Sequence, residues 1–170
     1  MSTRDEPLVV LPGEGTVVRT RGGVVLADSA ATGGTLGLVE STMPPGRWVP
    51  AHLHRREAEA WYVLEGELTF RFGDRTAVAP AGAFVFSPLG VAHSYGNAGE
   101  RPARFLVLFV PGGFEGSLVE RAALERALPP VDSSQYSSLD AETLAALRRK
   151  YGTERVPQDE HDPGEDRPIR

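Results

Sequence analysis

Residues 46–66 read GRWVPAHLHRREAEAWYVLEG, and residues 82–97 read GAFVFSPLGVAHSYGN. These two blocks hold three of the chain's four histidines, His52, His54 and His93, together with Glu59. Along an extended strand residues i and i+2 point to the same face, so His52 and His54 can present both imidazoles to one point. A helix would splay them apart. Glu59 can return on the next strand after a bend around residues 55–57, and His93 can arrive from a distant strand of the same sheet. Three neutral nitrogens and one carboxylate oxygen form a borderline ligand set that suits a divalent Fe, Mn, Ni, Co, Cu or Zn ion. One such ion per chain is the cofactor expected here, and four protein ligands leave open positions on an octahedral metal.

The first block resembles the first cupin motif, G-x5-H-x-H-x4-E-x6-G, at Gly46, His52, His54, Glu59 and Gly66. The second is similar to the second cupin motif, G-x5-P-x-G-x2-H-x3-N, at Gly82, Pro88, Gly90, His93 and Asn97. The resemblance implies an all-β cupin jelly-roll barrel, a fold that hosts many activities, so it constrains the architecture more than the reaction. It also implies His52, His54, Glu59 and His93 as metal ligands.

Simpler readings of the same residues stand beside this one. Paired histidines on a strand can be exposed polar positions. Glu57 shares strand parity with Glu59 and competes for the inward carboxylate, with spacing favouring Glu59. Gly46, Gly66, Gly82, Gly90 and Pro88 are turn residues, because glycine takes positive φ and proline fixes a turn. Asn97 reads as a turn or hydrogen-bonding residue. His161 sits in a charged tail and is assigned no metal role.

At 170 residues the chain suits one domain with a sizeable core and terminal extensions. It contains no cysteine, which excludes disulfides, thiolate ligands and a cysteine nucleophile. The amino terminus, MSTRDEPLVV, is charged where a signal peptide is apolar, and FLVLFV near residue 105 is only strand-sized. A soluble, cytoplasmic protein without a membrane partner is expected. The net charge is −5 and the cations are dispersed arginines, with Lys150 the only lysine, which argues against nucleic acid as a partner.

Short β-prone runs alternate with Gly/Pro turns from LVVL at residue 8 to the run at 104–110, as a sandwich or barrel requires. Residues 65–67 and 73–74 read as hairpin turns, which predicts a three-stranded meander from Glu59 to Ala79. If Glu59 points inward, Trp61 and Val63 share its face and are the candidate substrate-pocket residues, with Tyr62 and Leu64 outside. On the last long strand either Phe105, Val107 and Phe109 or Leu106, Leu108 and Val110 can face the cavity, since both sets are apolar.

Beyond residue 112 the chain becomes helix-prone. The stretch PGGFEGSLVERAALERALPP is stopped by Pro129 and Pro130. A second helix has Asp140 at its N-cap, Leu139 and Leu144 as a hydrophobic staple, and Gly152 as its C-terminal stop. Leu144, Leu147 and Tyr151 form a stripe that can pack on the barrel, meet a second subunit or cover the barrel mouth. The organisation expected is an N-terminal β-prone segment at 1–30, a cupin barrel at 31–112, a short C-terminal helical extension at 113–155 and a disordered tail at 156–170.

This arrangement is similar to small cupins of the quercetinase-like group. That resemblance implies a dioxygenase acting on an enolisable aromatic or polyketide-like small molecule, with Glu59 both metal ligand and catalytic base. It also implies a homodimer, with exchange of the segment before residue 30 as one route. Two other readings stay open: a non-oxidative isomerase, cyclase or lyase using the metal as a Lewis acid, and a small-molecule-binding barrel without turnover.

Overall fold

The computed structural model describes residues 7–18, 23–128, 137–157 and 167–168. Its strands are β1 (Thr16–Val18), β2 (Gly23–Ala27), β3 (Gly37–Met43), β4 (Trp48–His54), β5 (Ala58–Glu65), β6 (Glu67–Phe72), β7 (Arg75–Pro80), β8 (Phe84–Ser87), β9 (His93–Gly96), β10 (Ala103–Val110), β11 (Thr153–Arg155) and β12 (Arg167–Pro168). Two helices, α1 (Glu115–Glu125) and α2 (Ala141–Tyr151), lie between β10 and β11.

The strands form two six-stranded sheets, ordered β1-β2-β3-β10-β5-β8 and β11-β4-β9-β6-β7-β12. All pairings are antiparallel except that of β12 with β7. The sheets pack face to face as a jelly roll, with a core that includes Val39, Trp61, Val63, Leu68, Phe70 and Phe105. Alternation is clear on β10, where Phe105, Val107 and Phe109 are buried while Val110 is exposed. The ambiguity between its two apolar faces is thereby resolved. Leu106 and Leu108 are half-buried on the outside because that face is only partly covered.

The meander expected from Glu59 to Ala79 does not form. β5 pairs with β10 and β8 in one sheet, whereas β6 pairs with β7 and β9 in the other. Of these three strands only β6 and β7 form a hairpin. The chain crosses between sheets at Gly66, whose φ of +72° suits glycine and where an added Cβ would lie 2.7 Å from the Pro102 carbonyl oxygen. The crossing satisfies the same apolar alternation as a hairpin, because both strands direct their apolar faces into one core from opposite sides.

At the amino-terminal end, β2 pairs with β3 of the same chain, while residues 8–11 carry no strand and leave Leu8, Val9 and Leu11 exposed. At the other end, α2 begins where expected: the Asp140 side chain accepts a hydrogen bond from the Thr143 N–H, and Gly152 closes the helix at φ +70°. The extension is not wholly helical, because residues 153–155 return as a strand beside β4. Most of the expected tail lies outside the described residues, and within it Arg167–Pro168 pairs with β7. Among the described residues no helix is long and apolar enough to cross a membrane.

Candidate metal centre

The site is assembled from both sheets. His52 and His54 stand two apart on β4, and His93 is the direct cross-strand partner of His52 on β9. A register shift between Val49 and His52 precedes this pair. Glu59 comes from β5 in the facing sheet, where it is flanked by Phe109 on β10 and Ser87 on β8. One donor atom from each of His52, His54, Glu59 and His93 lies within 4.8 Å of all the others.

The orientations are as informative as the distances. Glu59 Oε2 lies 3.0 Å from Nε2 of both His54 and His93 and 3.9 Å from Nε2 of His52. Each Nδ1 faces away from that point. His52 Nδ1 donates to the Pro50 carbonyl at 2.8 Å and His93 Nδ1 to the Val91 carbonyl at 3.0 Å, with Ser87 Oγ at 3.1 Å. His54 Nδ1 lies 3.4 Å from a Glu57 carboxylate oxygen. A carbonyl can only accept, so these contacts place the proton on Nδ1 and leave the Nε2 lone pairs of the neutral rings aimed inward.

Buried lone pairs and a carboxylate oxygen converging on one point repel unless a cation or protons lie between them. His54 Nε2 is buried without a well-aligned hydrogen-bond partner among the described residues, despite its 3.0 Å approach to Glu59. The donor set and this orphaned nitrogen fit a divalent transition metal.

Without such an ion, protons have to do the neutralising. Burial lowers the His52 pKa to about 4, against an opposing pull from Glu59. Burial also disfavours the charged form of His54, but the Glu57 and Glu59 carboxylates outweigh it and hold this imidazolium up to about 9. For Glu59, burial favours the neutral acid, yet His54 and His93 reverse the effect and keep the carboxylate ionised far below its ordinary range.

Rings pack around the histidines. Phe114 meets His54 edge-on at 4.4 Å, and Trp61 meets His93 edge-on at 5.2 Å. On one side His52 and Glu59 border a cavity of about 100 Å³ that opens toward solvent. Its apolar walls include Val39, Val49, Val107, Phe109 and Phe114, and its outer part is formed by Leu118, Leu144 and Leu147 of the two helices. The stripe on α2 therefore serves partly as a cover for the mouth, with Leu147 buried.

The assignment of Trp61 and Val63 to the pocket wall needs correction. Parity does turn both inward with Glu59, but both are completely buried in the core and neither borders the cavity. The reason is depth: β5 runs from the site into the closed interior, while the cavity opens the other way, toward the helices. Two residues were not assigned their places by sequence. Glu57 is the partner of His54 rather than a ligand, a role hinted at only by its competition with Glu59. Ser87 reaches His93 because β8 sets it opposite Glu59, a pairing with no local signal. Asn97 is an interior clasp: it is fully buried, donates to the Met43 and Arg101 carbonyls at 2.9 and 2.8 Å, and accepts from the Gly99 N–H at 2.9 Å.

Fold and site together define a β-sandwich of the jelly-roll class carrying a group of residues that could hold a metal ion. Residues 39–109 match the cupin domain family. The chain is similar to an oxalate-binding protein of Thermotoga maritima, 34% identical over 68 residues, which covers 40% of this chain and 56% of that one. It is also similar to quercetin 2,3-dioxygenase of Bacillus subtilis, 29% identical over 111 residues, covering 64% of this chain and 33% of that one. Among solved structures, that of a predicted oxalate decarboxylase from Thermotoga maritima superposes with a TM-score of 0.50 at 28% identity, over 52% of this chain and 78% of the other. The chain spans between about a sixth and just over half the length of the curated relatives it matches.

Proposed function

We propose that the protein is a metal-dependent enzyme acting on a small enolisable molecule, and that its reaction is a dioxygenation of the quercetinase type. The observation that carries this reading is the convergence of three imidazole Nε2 atoms and one carboxylate beside an apolar, partly covered cavity that His52 and Glu59 border. His52, His54, Glu59 and His93 would hold a divalent transition metal, which when bound supplies Lewis acidity toward a substrate oxygen and, for a redox-active ion, access to molecular oxygen. The chain's own contribution is threefold. The hydrogen bonds that the Nδ1 atoms donate fix the three imidazoles in orientation. The Glu59 carboxylate, which borders the cavity, can accept the proton of a substrate hydroxyl that approaches from it. The walls from Val39 to Phe114 keep bulk water away from the deprotonated substrate.

Similarity to quercetin 2,3-dioxygenase supports this reading. The same residues serve a Lewis-acid isomerase, cyclase or lyase, and similarity to an oxalate-binding protein favours ligation of an oxygen-rich acid without oxygenation. Oxygen dependence separates the two. Oxygen uptake is measured with protein reconstituted with Fe(II), Mn(II), Ni(II) or Co(II), against a flavonol and a panel of enolisable aromatics, with His52→Ala as control. Uptake that needs metal, substrate and His52 supports the dioxygenase; substrate conversion under anaerobic conditions supports the Lewis-acid reaction instead.

The homodimer is part of the same proposal. Tyr62, Phe84 and Phe86 stand exposed on the outer face of the first sheet, with Tyr62 directly opposite Phe84 and Ala60 opposite Phe86. A second copy related by a two-fold axis would bury this patch against itself. Sedimentation of wild type and Phe84→Glu tests it: a dimer converted to monomer is the expected result.

A further inference from the structure

The cavity is bordered by a second set of polar residues. Apart from His52 and Glu59, the charged residues bordering it are all cations: Arg121 on α1, Arg148 on α2 and Arg155 on β11. Their surroundings differ. Arg121 is buried and donates through Nε to Glu125 at 3.0 Å, so its charge is already balanced. Arg148 is half-buried at the cavity, Arg155 is more exposed, and neither has a carboxylate partner among the described residues. The arginines on other surfaces are not all left this way; Arg55 pairs with Glu154 and Arg104 with both Glu40 and Glu65.

Register fixes how one of these cations stands relative to the metal centre. β11 pairs with β4 so that Arg155 lies directly opposite His52. Directly opposed residues of an antiparallel pair project to the same face, so Arg155 shares the inward face of His52. Arg148 approaches from α2 one turn before the helix ends at Gly152. The same cavity is therefore bordered by His52 and Glu59 of the candidate metal centre, by walls of Val, Leu and Phe, and by the cations Arg148 and Arg155.

We infer that the ligand of this cavity is an amphipathic anion, with its apolar body between the sheets and helices and its carboxylate or sulfonate-like group held by Arg148 and Arg155. This deepens the reading of the site as a small-molecule metal enzyme and rests on it for His52 and Glu59 only. Guanidinium groups suit such a role because they present forked donors matched to planar or tetrahedral oxyanions. With two cations and no compensating carboxylate among the described residues beside them, a neutral ligand of the same shape leaves both charges unneutralised.

The test uses an anion that coordinates metals weakly, so that the arginines and the metal are read separately. Benzenesulfonate and its neutral isostere methyl phenyl sulfone are titrated by calorimetry into the metal-reconstituted full chain, into Arg148→Gln/Arg155→Gln, and into Arg148→Lys/Arg155→Lys. Metal content is measured on each sample. The expected result is tighter binding of the sulfonate by about tenfold or more, the scale of one charge-assisted contact. That preference should vanish in the double Gln variant at unchanged metal content and unchanged sulfone affinity, and return in part in the Lys variant. Equal affinity of the two probes for wild type, failure of both to bind, or a preference that survives the double Gln variant overturns the inference. A protein that binds no metal yet keeps the sulfonate preference, lost on Arg→Gln, overturns the metal reading and leaves this one standing.

Discussion

Glu57 and Glu59 share strand parity, lie within one turn of chain and are both buried, yet the structure gives them different work. Glu59 faces the three Nε2 atoms, and Glu57 faces His54 Nδ1 from behind at 3.4 Å. Glu57→Ala removes the group that orients His54 without removing a ligand. Loss of such an outer partner lowers metal affinity by about 10–100-fold, or about 1.4–2.7 kcal/mol. The 3.4 Å separation is long for a charge-assisted bond, so an effect near the tenfold end is expected. Glu59→Gln removes the anionic ligand itself and should cost more than 100-fold, about 2.7 kcal/mol or above. Glu57→Gln keeps an acceptor for Nδ1 and should fall between wild type and Glu57→Ala. Competitive titration of Zn(II) against a chromophoric chelator gives all four affinities, with far-ultraviolet circular dichroism confirming that each variant is folded. Glu57→Ala weakening the metal more than Glu59→Gln, or leaving it untouched, would refute this division of roles.

Other outcomes follow from the same geometry. His93→Ala should lose most of the bound metal and stay folded, as judged by metal analysis beside a thermal melt; full stoichiometric metal would sink the site. Asn97→Ala removes hydrogen bonds to the Met43 and Arg101 carbonyls and from the Gly99 N–H, of which the Met43 bond is buried, a loss of about 3 kcal/mol at most at roughly 1 kcal/mol each, measurable by urea unfolding. Gly96→Ala puts a Cβ 2.2 Å from the Trp48 ring and should displace the indole that Arg71 covers at 4.5 Å, destabilising the fold by about 1–3 kcal/mol in the same assay. Asp140→Ala should lower the thermal midpoint at neutral pH and match wild type in strong acid. Hydrogen bonding to Thr143 depresses the Asp140 pKa, so the cap's contribution is present above the ordinary value of 3.8 and lost as pH falls through the lowered one.

The sequence by itself carried the grouping of the four residues, because strand parity puts His52 and His54 on one face whatever the rest of the fold does, and two spaced blocks bring Glu59 and His93 into the same pattern. It carried the ends of α2 for a similar reason: an N-cap aspartate and a C-terminal glycine act within a few residues of where they stand. What it could not carry was anything decided between distant segments. Gly66 looks the same at a hairpin and at a corner between sheets, and only the pairing of β5 with β10 shows which it is. Parity turned Trp61 and Val63 inward correctly but holds no information on depth, so the direction in which the cavity opens had to come from the placement of α1, α2 and β11 over its mouth. The roles of Glu57 and Ser87, and the company Arg148 and Arg155 keep with His52, belong to the same category. Local periodicity determines which way a side chain points; only the packing of one sheet and two helices against another determines what it meets there.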